Sequence, residues 1–132
     1  MVAPITEFRG LIRGTVLADV VLGTLLTGFY DNAPAGAVSP YITFGESEFD
    51  PRDPTCITAG IHTLQLDVWS EKKARRECED ICFAVKGLLH LRRHSLVRHA
   101  ITNVTARFQI FKDPDGITNH GVIAVQAYIE EN

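Results

Sequence analysis

Apolar and polar residues alternate along one central segment, from Ile61 to Trp69. Leu64, Leu66 and Val68 fall on one face of an extended chain, and the polar residues between them fall on the other face. This period of two predicts a half-buried strand whose apolar face must pack against another element.

The segment that follows has a helical period instead. Ser70 stands where a helix N-cap is expected, and Glu71 lies in the first turn, where an acidic side chain is favourable. Each large apolar side chain gains about 1.5–3 kcal/mol on burial, so we expect the apolar stripe of this helix to pack on the apolar face of the preceding strand. The stripe consists of Ala74, Cys78, Ile81, Cys82, Val85, Leu88 and Leu89.

The N-terminal region has apolar residues at helical spacing from Pro4 to about Leu26. A bend or break is expected between Gly14 and Asp19, because glycine weakens a helix and aspartate caps a new one. Phe29 to Asp31 is predicted to form a short strand before a turn-rich connection.

Two further segments precede the central strand. Pro40 to Gly45 predicts a strand, and its first residue cannot donate a backbone hydrogen bond. Glu46 to Thr58 contains two prolines and four acidic residues and predicts a long loop. Because unstructured loops of about a dozen residues are usually functional or mobile, we expect a partner to bind here.

The C-terminal region predicts an antiparallel hairpin. Ile101 to Phe111 alternates with period two, Asp113 to Gly116 has the residues of a tight turn, and Gly121 to Ile129 alternates again. The inward positions of the first strand are expected to include Val104 and Ala106.

Together these segments predict one α+β domain over residues 1–132. Its antiparallel sheet is expected to have about four to five strands, with an N-terminal helix and a central helix packed on one face. The other sheet face is expected to be semi-polar and to meet water or another subunit. It would carry Thr43, Thr63, Gln65, Asp67, Trp69, Asn103, Thr105, Arg107, Gln109, Gln126 and Tyr128.

Composition narrows the class of protein. The 132 residues are 45% hydrophobic and 22% charged with a net charge of −3, which argues against a protein dedicated to binding nucleic acid. No run approaches the ~18–20 apolar residues of a membrane span, so no membrane partner is expected. The three cysteines are an odd number and two of them lie on the apolar helix stripe, which favours a reducing compartment such as the cytosol.

Catalytic and metal-binding patterns are weak. No phosphate-binding glycine motif is present. Cys78, Cys82 and His90 could form part of a zinc site, but both cysteines are expected in the core, where cysteine behaves as a small hydrophobe. A nucleophilic triad of Cys56, His62 and Asp67 is unfavourable, because His62 and Asp67 are an odd number of residues apart on one strand and so point to opposite faces of the sheet. The sequence predicts no cofactor and no catalytic residue.

Acidic pairs occur beside prolines, at Asp50 with Asp53 and at Asp113 with Asp115. Aspartate is common in such turns for backbone reasons, so an acid–base or cation-binding role is disfavoured.

A basic segment, His90 to His99, holds three arginines and three histidines in ten residues. The favoured interpretation is a solvated connection whose cations complement the C-terminus of the central helix, and the alternative is a patch for a partner. Trp69 is expected either to close the edge of the core, which we favour, or to anchor an interface.

Three segments carry a resemblance to a known family. Pro40 to Glu46, His62 to Ser70 and Lys112 to Val122 resemble the tail-completion, or tail-terminator, proteins of siphophage-like particles and bacterial gene transfer agents. The three occur in the family's order and spacing, and the similarity extends over nearly the whole chain.

The resemblance implies a structural protein of the virion or gene-transfer-agent particle, assembled in the bacterial cytoplasm. Six copies would form a ring on the head-proximal end of the tail tube, stop tube polymerisation and join the head connector or stopper, with DNA passing through the lumen without specific binding. The acidic loop is then a candidate for the lumen or tube contact, and the basic segment for the opposite partner or a neighbouring subunit. The candidate interface residues are Glu46, Glu48, Asp50, Arg52, Asp53, Trp69, Arg92, Arg93, Arg98 and Arg107.

Two other classes of function remain open on the sequence. The first is a small α+β binding module that holds a peptide or small ligand on its polar sheet face. The second, ranked lowest, is a hydrolase that uses one of the histidines or cysteines. Assembly into a ring would separate the structural protein from both.

Overall fold

The computed structural model of the protein describes residues 2–52 and 58–131. The helices in this part of the chain are α1 (Pro4–Ala18), α2 (Val20–Leu25) and α3 (Arg76–Leu89). The strands are β1 (Gly28–Tyr30), β2 (Tyr41–Pro51), β3 (Ala59–Ser70), β4 (His99–Lys112) and β5 (Asn119–Glu131). None of the helices formed by these residues is long and apolar enough to cross a membrane.

The strands form one sheet in the order β1-β2-β3-β5-β4. Neighbouring strands are antiparallel except that the short β1 runs parallel to β2. The predicted α+β fold with four to five strands is confirmed, and the sheet is mixed rather than purely antiparallel. The parallel pair arises because residues 31–40 carry the chain back to the end of the sheet from which β1 started.

The core lies between one sheet face and the helices. Leu64, Leu66 and Val68 are fully buried there, as the period of two predicts. α3 packs across β3, β5 and β4, and α1 packs beside α3. The helix side chains of this core are Phe8, Ile12, Val16, Leu22, Cys78, Ile81, Cys82, Val85 and Leu89.

The predicted break in the first helical region is confirmed at Asp19. α1 ends at Ala18, and α2 begins at Val20 with the Asp19 carboxylate accepting a hydrogen bond from the backbone N–H of Leu22 at 3.0 Å. This side-chain cap satisfies a donor that the second helix would otherwise leave unpaired.

The predicted start of the central helix at Ser70 is wrong. Ser70 is the last residue of β3, where it pairs with Asn119, and α3 begins only at Arg76. The Asn119 side-chain amide donates to the carbonyl oxygens of Lys72 and Ala74, at 2.8 and 3.1 Å. These carbonyls are thereby held out of helical geometry. The Ser70 hydroxyl donates instead to Glu77 Oε1 in the first turn of α3, at 2.6 Å.

The predicted long loop from Glu46 to Thr58 is wrong for its first half. β2 continues to Pro51 and pairs with β3 throughout, with a bulge between Phe44 and Ser47. The bulge moves the inward positions by one residue, so that Ser47 and Phe49, rather than Glu46 and Glu48, follow Phe44 on the helix side. The change of phase hides the alternation in the sequence. Residues 53–57 of the predicted loop lie outside the described residues.

The predicted C-terminal hairpin is confirmed. β4 pairs with β5 from His99 to Lys112, with a bulge between Thr102 and Thr105, and residues 113–118 form the turn. Asp115 accepts hydrogen bonds from the Thr118 hydroxyl and from the backbone N–H groups of Ile117 and Thr118. These bonds lower the pKa of Asp115, and they identify this aspartate as a turn residue.

A close approach between β5 and α3 depends on Gly121. A Cβ atom added at this position would lie 2.5 Å from Cys82 Sγ and 3.0 Å from Cys78 Sγ. The two thiols therefore fill the space that a side chain at position 121 would need, and α3 rests directly on the backbone of β5.

We expect Gly121→Ala to destabilise the protein by about 1–3 kcal/mol, because the buried thiols have little room to move. Adding Cys82→Ala should recover part of this loss by removing the blocking sulfur atom. Urea unfolding measures both effects. Gly87→Ala in α3 is the matched control, since an added Cβ there meets no atom within 4 Å. Equal stability of Gly121→Ala and the wild type would contradict the close packing.

The imidazole of His62 lies on the helix side of the sheet. His62 is buried, and its ring contacts that of Phe49 with centroids 4.7 Å apart. Burial lowers the pKa of His62 below 6.5; the charge of Glu131 opposes this effect and that of His99 adds to it.

The lowered pKa makes stability depend on pH in one direction. Below about pH 6.5 the unfolded chain takes up the His62 proton before the folded chain does, so stability falls with pH until the folded state is protonated too. We expect His62→Gln to lose less stability than the wild type between about pH 7 and pH 5. Urea unfolding across this range is the measurement, and parallel curves for the two proteins would contradict it.

Candidate functional site

The sheet face opposite the helices carries a hydrogen-bonded polar cluster. Asp67 Oδ1 accepts from Gln65 Nε2 at 2.9 Å and from His120 Nε2 at 2.7 Å. The imidazole of His120 stacks on the indole of Trp69, with ring centroids 4.0 Å apart and planes 10° from parallel. Trp69 Nε1 in turn donates to the Thr43 hydroxyl at 3.0 Å.

The side chains of this cluster are closely packed, although none of α1, α2 and α3 covers this face of the sheet. Asp67 is only 7% exposed, and a Cβ atom at Gly45 would lie 2.6 Å from its second carboxylate oxygen. The bulge of β2 thus brings a residue without a side chain against the carboxylate. The cluster joins five side chains from three neighbouring strands, β2, β3 and β5, on the open face.

The structure corrects the favoured interpretation of Trp69. Its side chain lies on the open face and is partly exposed, so it does not close the edge of the main core. His120, its stacking partner, was missed by the sequence reasoning because it lies on β5. The predicted strands were not enough to identify His120. Its place beside Trp69 follows only from the register of β3 with β5, which pairs these two residues.

An acidic edge borders one side of the sheet. Glu46, Glu48 and Asp50 lie exposed on the outer half of β2, beyond the residues that pair with β1. Arg52 pairs with Asp50 at 2.9 Å, and both side chains are more than half exposed. Asp53, the fifth predicted residue here, lies outside the described residues.

A basic edge borders the opposite side, next to β4. Arg92, Arg93, Arg98 and Arg107 are all exposed. Residues 91–94 and the bulge of β4 line a shallow cleft of about 270 Å³. The structure therefore separates the predicted interface residues into two groups at opposite edges, with Trp69 on the face between them.

The basic segment also has an internal role. Arg92 Nε donates to the carbonyl of Gly87 at 3.1 Å, and His94 Nε2 lies 3.3 Å from the carbonyl of Leu89. Both carbonyls belong to the last turn of α3, so the prediction that this segment complements the helix C-terminus is confirmed. His90 Nδ1 accepts from the backbone N–H of Ala106, at 3.0 Å, and ties the segment to β4.

In the described part of the chain, the side chains considered for chemistry are not brought together into the triad or the zinc site. His62 faces the helices and Asp67 faces the open side, as their parity predicts. Cys56 lies outside the described residues. Cys78 and Cys82 are buried in the core, where a mutual hydrogen bond and burial raise the pKa of the Cys82 thiol. No group of three or more potential metal ligands occurs in residues 2–52 and 58–131.

Solved structures of other proteins share this fold. A chain from the virion of a native gene transfer agent particle is 17% identical, covers 98% of this chain and 99% of its own, and has a TM-score of 0.88. The gp17 protein of bacteriophage SPP1 is 19% identical, covers 92% of this chain and 88% of its own, and has a TM-score of 0.61. No curated protein matches the sequence.

The sequence itself matches a family. The family described as tail completion protein gp17 matches residues 11–130, from the middle of α1 almost to the end of β5. The matched range includes β1 to β4, β5 as far as Glu130, both charged edges and the open-face cluster. The chain belongs to the tail completion protein gp17 family.

Proposed function

We propose that this protein is a structural component of a phage or gene-transfer-agent particle that caps the head-proximal end of the tail tube as a ring of six copies. In this position it stops tube polymerisation and joins the tail to the head connector or stopper. The observation that carries the proposal is the family match over residues 11–130. The likeness to a chain of a gene transfer agent virion over 98% of this protein supports it.

The form of the molecule supports a role in assembly. The helices and the sheet pack around one core, and exposed acidic and basic side chains lie at opposite edges of the sheet. A subunit with different surfaces at its two sides can associate head to tail, and such an association closes into a ring when the rotation allows. Glu46, Glu48, Asp50, Arg52, Trp69, Arg92, Arg93, Arg98 and Arg107 are the proposed contact residues.

The function requires no reacting group. We assign the activity of the protein to shape and surface, with self, tail-tube protein and head connector as partners. The net charge of −3 supports a lumen through which DNA passes without specific binding, because tight DNA binding would need many phosphate contacts from cations.

Electron microscopy of particles made without this chain tests the proposal. We expect tails of irregular or excessive length and filled heads that carry no tail, because the tube would have no terminator and the head no joint. Complementation with the wild-type chain should restore normal particles. Tails of normal length joined to filled heads in the absence of the chain would overturn the proposal.

A further inference from the structure

The acidic and basic edges lie at the same level of the sheet. Glu48 pairs with Thr63, which pairs with Gln126, and Gln126 pairs with Thr105 of β4. A line drawn straight across the strands from the acidic edge therefore reaches β4 two residues from Arg107. Two copies placed side by side with their strands level would bring the acidic edge of one against the basic edge of the next.

Residues 91–94 also fall at this level. The backbone N–H of Leu91 donates to the carbonyl of Val104, at 2.8 Å, within the β4 bulge. This bulge lies opposite Ala127 of β5. Ala127 pairs with His62 of β3, and His62 pairs with Phe49 of β2, so the bulge and Phe49 lie at the same level of the sheet. Arg92 and Arg93 follow Leu91 directly, so these exposed cations lie beside the β4 bulge and at the level of Phe49.

Both edges expose apolar side chains beside the charges. Phe49 is 48% exposed on the acidic edge, and Leu91 is 74% exposed on the basic edge. A contact between the acidic edge of one copy and the basic edge of the next would bury these two apolar side chains. The charges around them would set the orientation of the contact.

The backbone of each edge is protected against simple strand pairing at this level. The Val104 carbonyl and the Ala106 N–H already bond to Leu91 and to His90. Pro51 has no N–H to donate, and the bulge distorts β2 between Phe44 and Ser47. The side chains, rather than a continuous sheet, must therefore carry a contact between these edges.

We propose that neighbouring copies in the ring meet edge to edge, with Glu46, Glu48 and Asp50 of one copy facing Arg92, Arg93 and Arg107 of the next. This inference rests on the proposed ring. It assigns the acidic edge to the neighbouring copy instead of the lumen or the tail tube. The contact is heterologous, so each copy uses both edges once and the same interface repeats around the ring.

Charge reversal provides the test. One variant carries Glu48→Lys and Asp50→Lys, and the other carries Arg93→Glu and Arg107→Glu. Each variant alone replaces opposite charges with like charges at the substituted positions of the contact, so we expect the protein concentration for half-assembly to rise at least about tenfold. Native mass spectrometry and light scattering measure the ring, and circular dichroism checks that each variant is folded.

Mixing the two variants gives the sharpest result. In an alternating ring the substituted edges of the two variants face each other and their unsubstituted edges face each other, so opposite charges meet at every contact and an equimolar mixture should restore rings. The quadruple variant, with both edges exchanged, should also form rings. Glu79→Lys with Asp80→Lys, on the exposed side of α3, is the matched control for charge and should assemble like the wild type.

The outcomes separate this inference from the proposed function. If the wild type forms rings, alone or on tail tubes, and both reversal variants do so equally well, the edge contact is wrong while the ring stands. The same conclusion follows if reversal abolishes only binding to tail tubes. If the wild type forms no ring under either condition, the ring and the edge contact both fall.

Discussion

The structure depends on the direct contact between α3 and the paired strands β3 and β5. Leu64, Leu66 and Val68 meet the apolar stripe of α3, and Gly121 lets the thiols of Cys78 and Cys82 lie against the backbone of β5. Because protein interiors are packed at near-crystalline density, this contact fixes the distance between helix and sheet. That distance positions the connections at both ends of α3, including the basic segment that follows it, and thus one of the two charged edges.

The sequence predicts this contact well because its signals are local. Periods of two and of three to four residues identify β3, α3 and the hairpin, and Asp19 marks the helix break. The errors occur where a distant residue decides the local structure. Asn119 bonds to the carbonyl of Lys72, 47 residues earlier in the chain, and so holds the segment after Ser70 out of the helix. The bulge in β2 changes the phase of an otherwise regular strand.

The candidate site was predictable only as a set of residues. Charge along the chain identifies the acidic and basic residues, but it does not show that they lie at opposite edges of one sheet, because that depends on the strand order. The cluster around Asp67 illustrates the same limit. Gln65 and Trp69 are near it in sequence, whereas His120 joins it through the register of β3 with β5.

The hairpin turn at residues 113–118 lies beyond the last strand pair, Lys112 with Asn119. Lys112 also donates to the carbonyl of Lys73, and Asn119 fixes the start of α3, so the base of the turn is anchored twice. Chain added within the turn would consequently extend a projecting arm without reaching the core. The fold thus offers one position at which related proteins can change length to suit differently shaped neighbours while keeping the same platform.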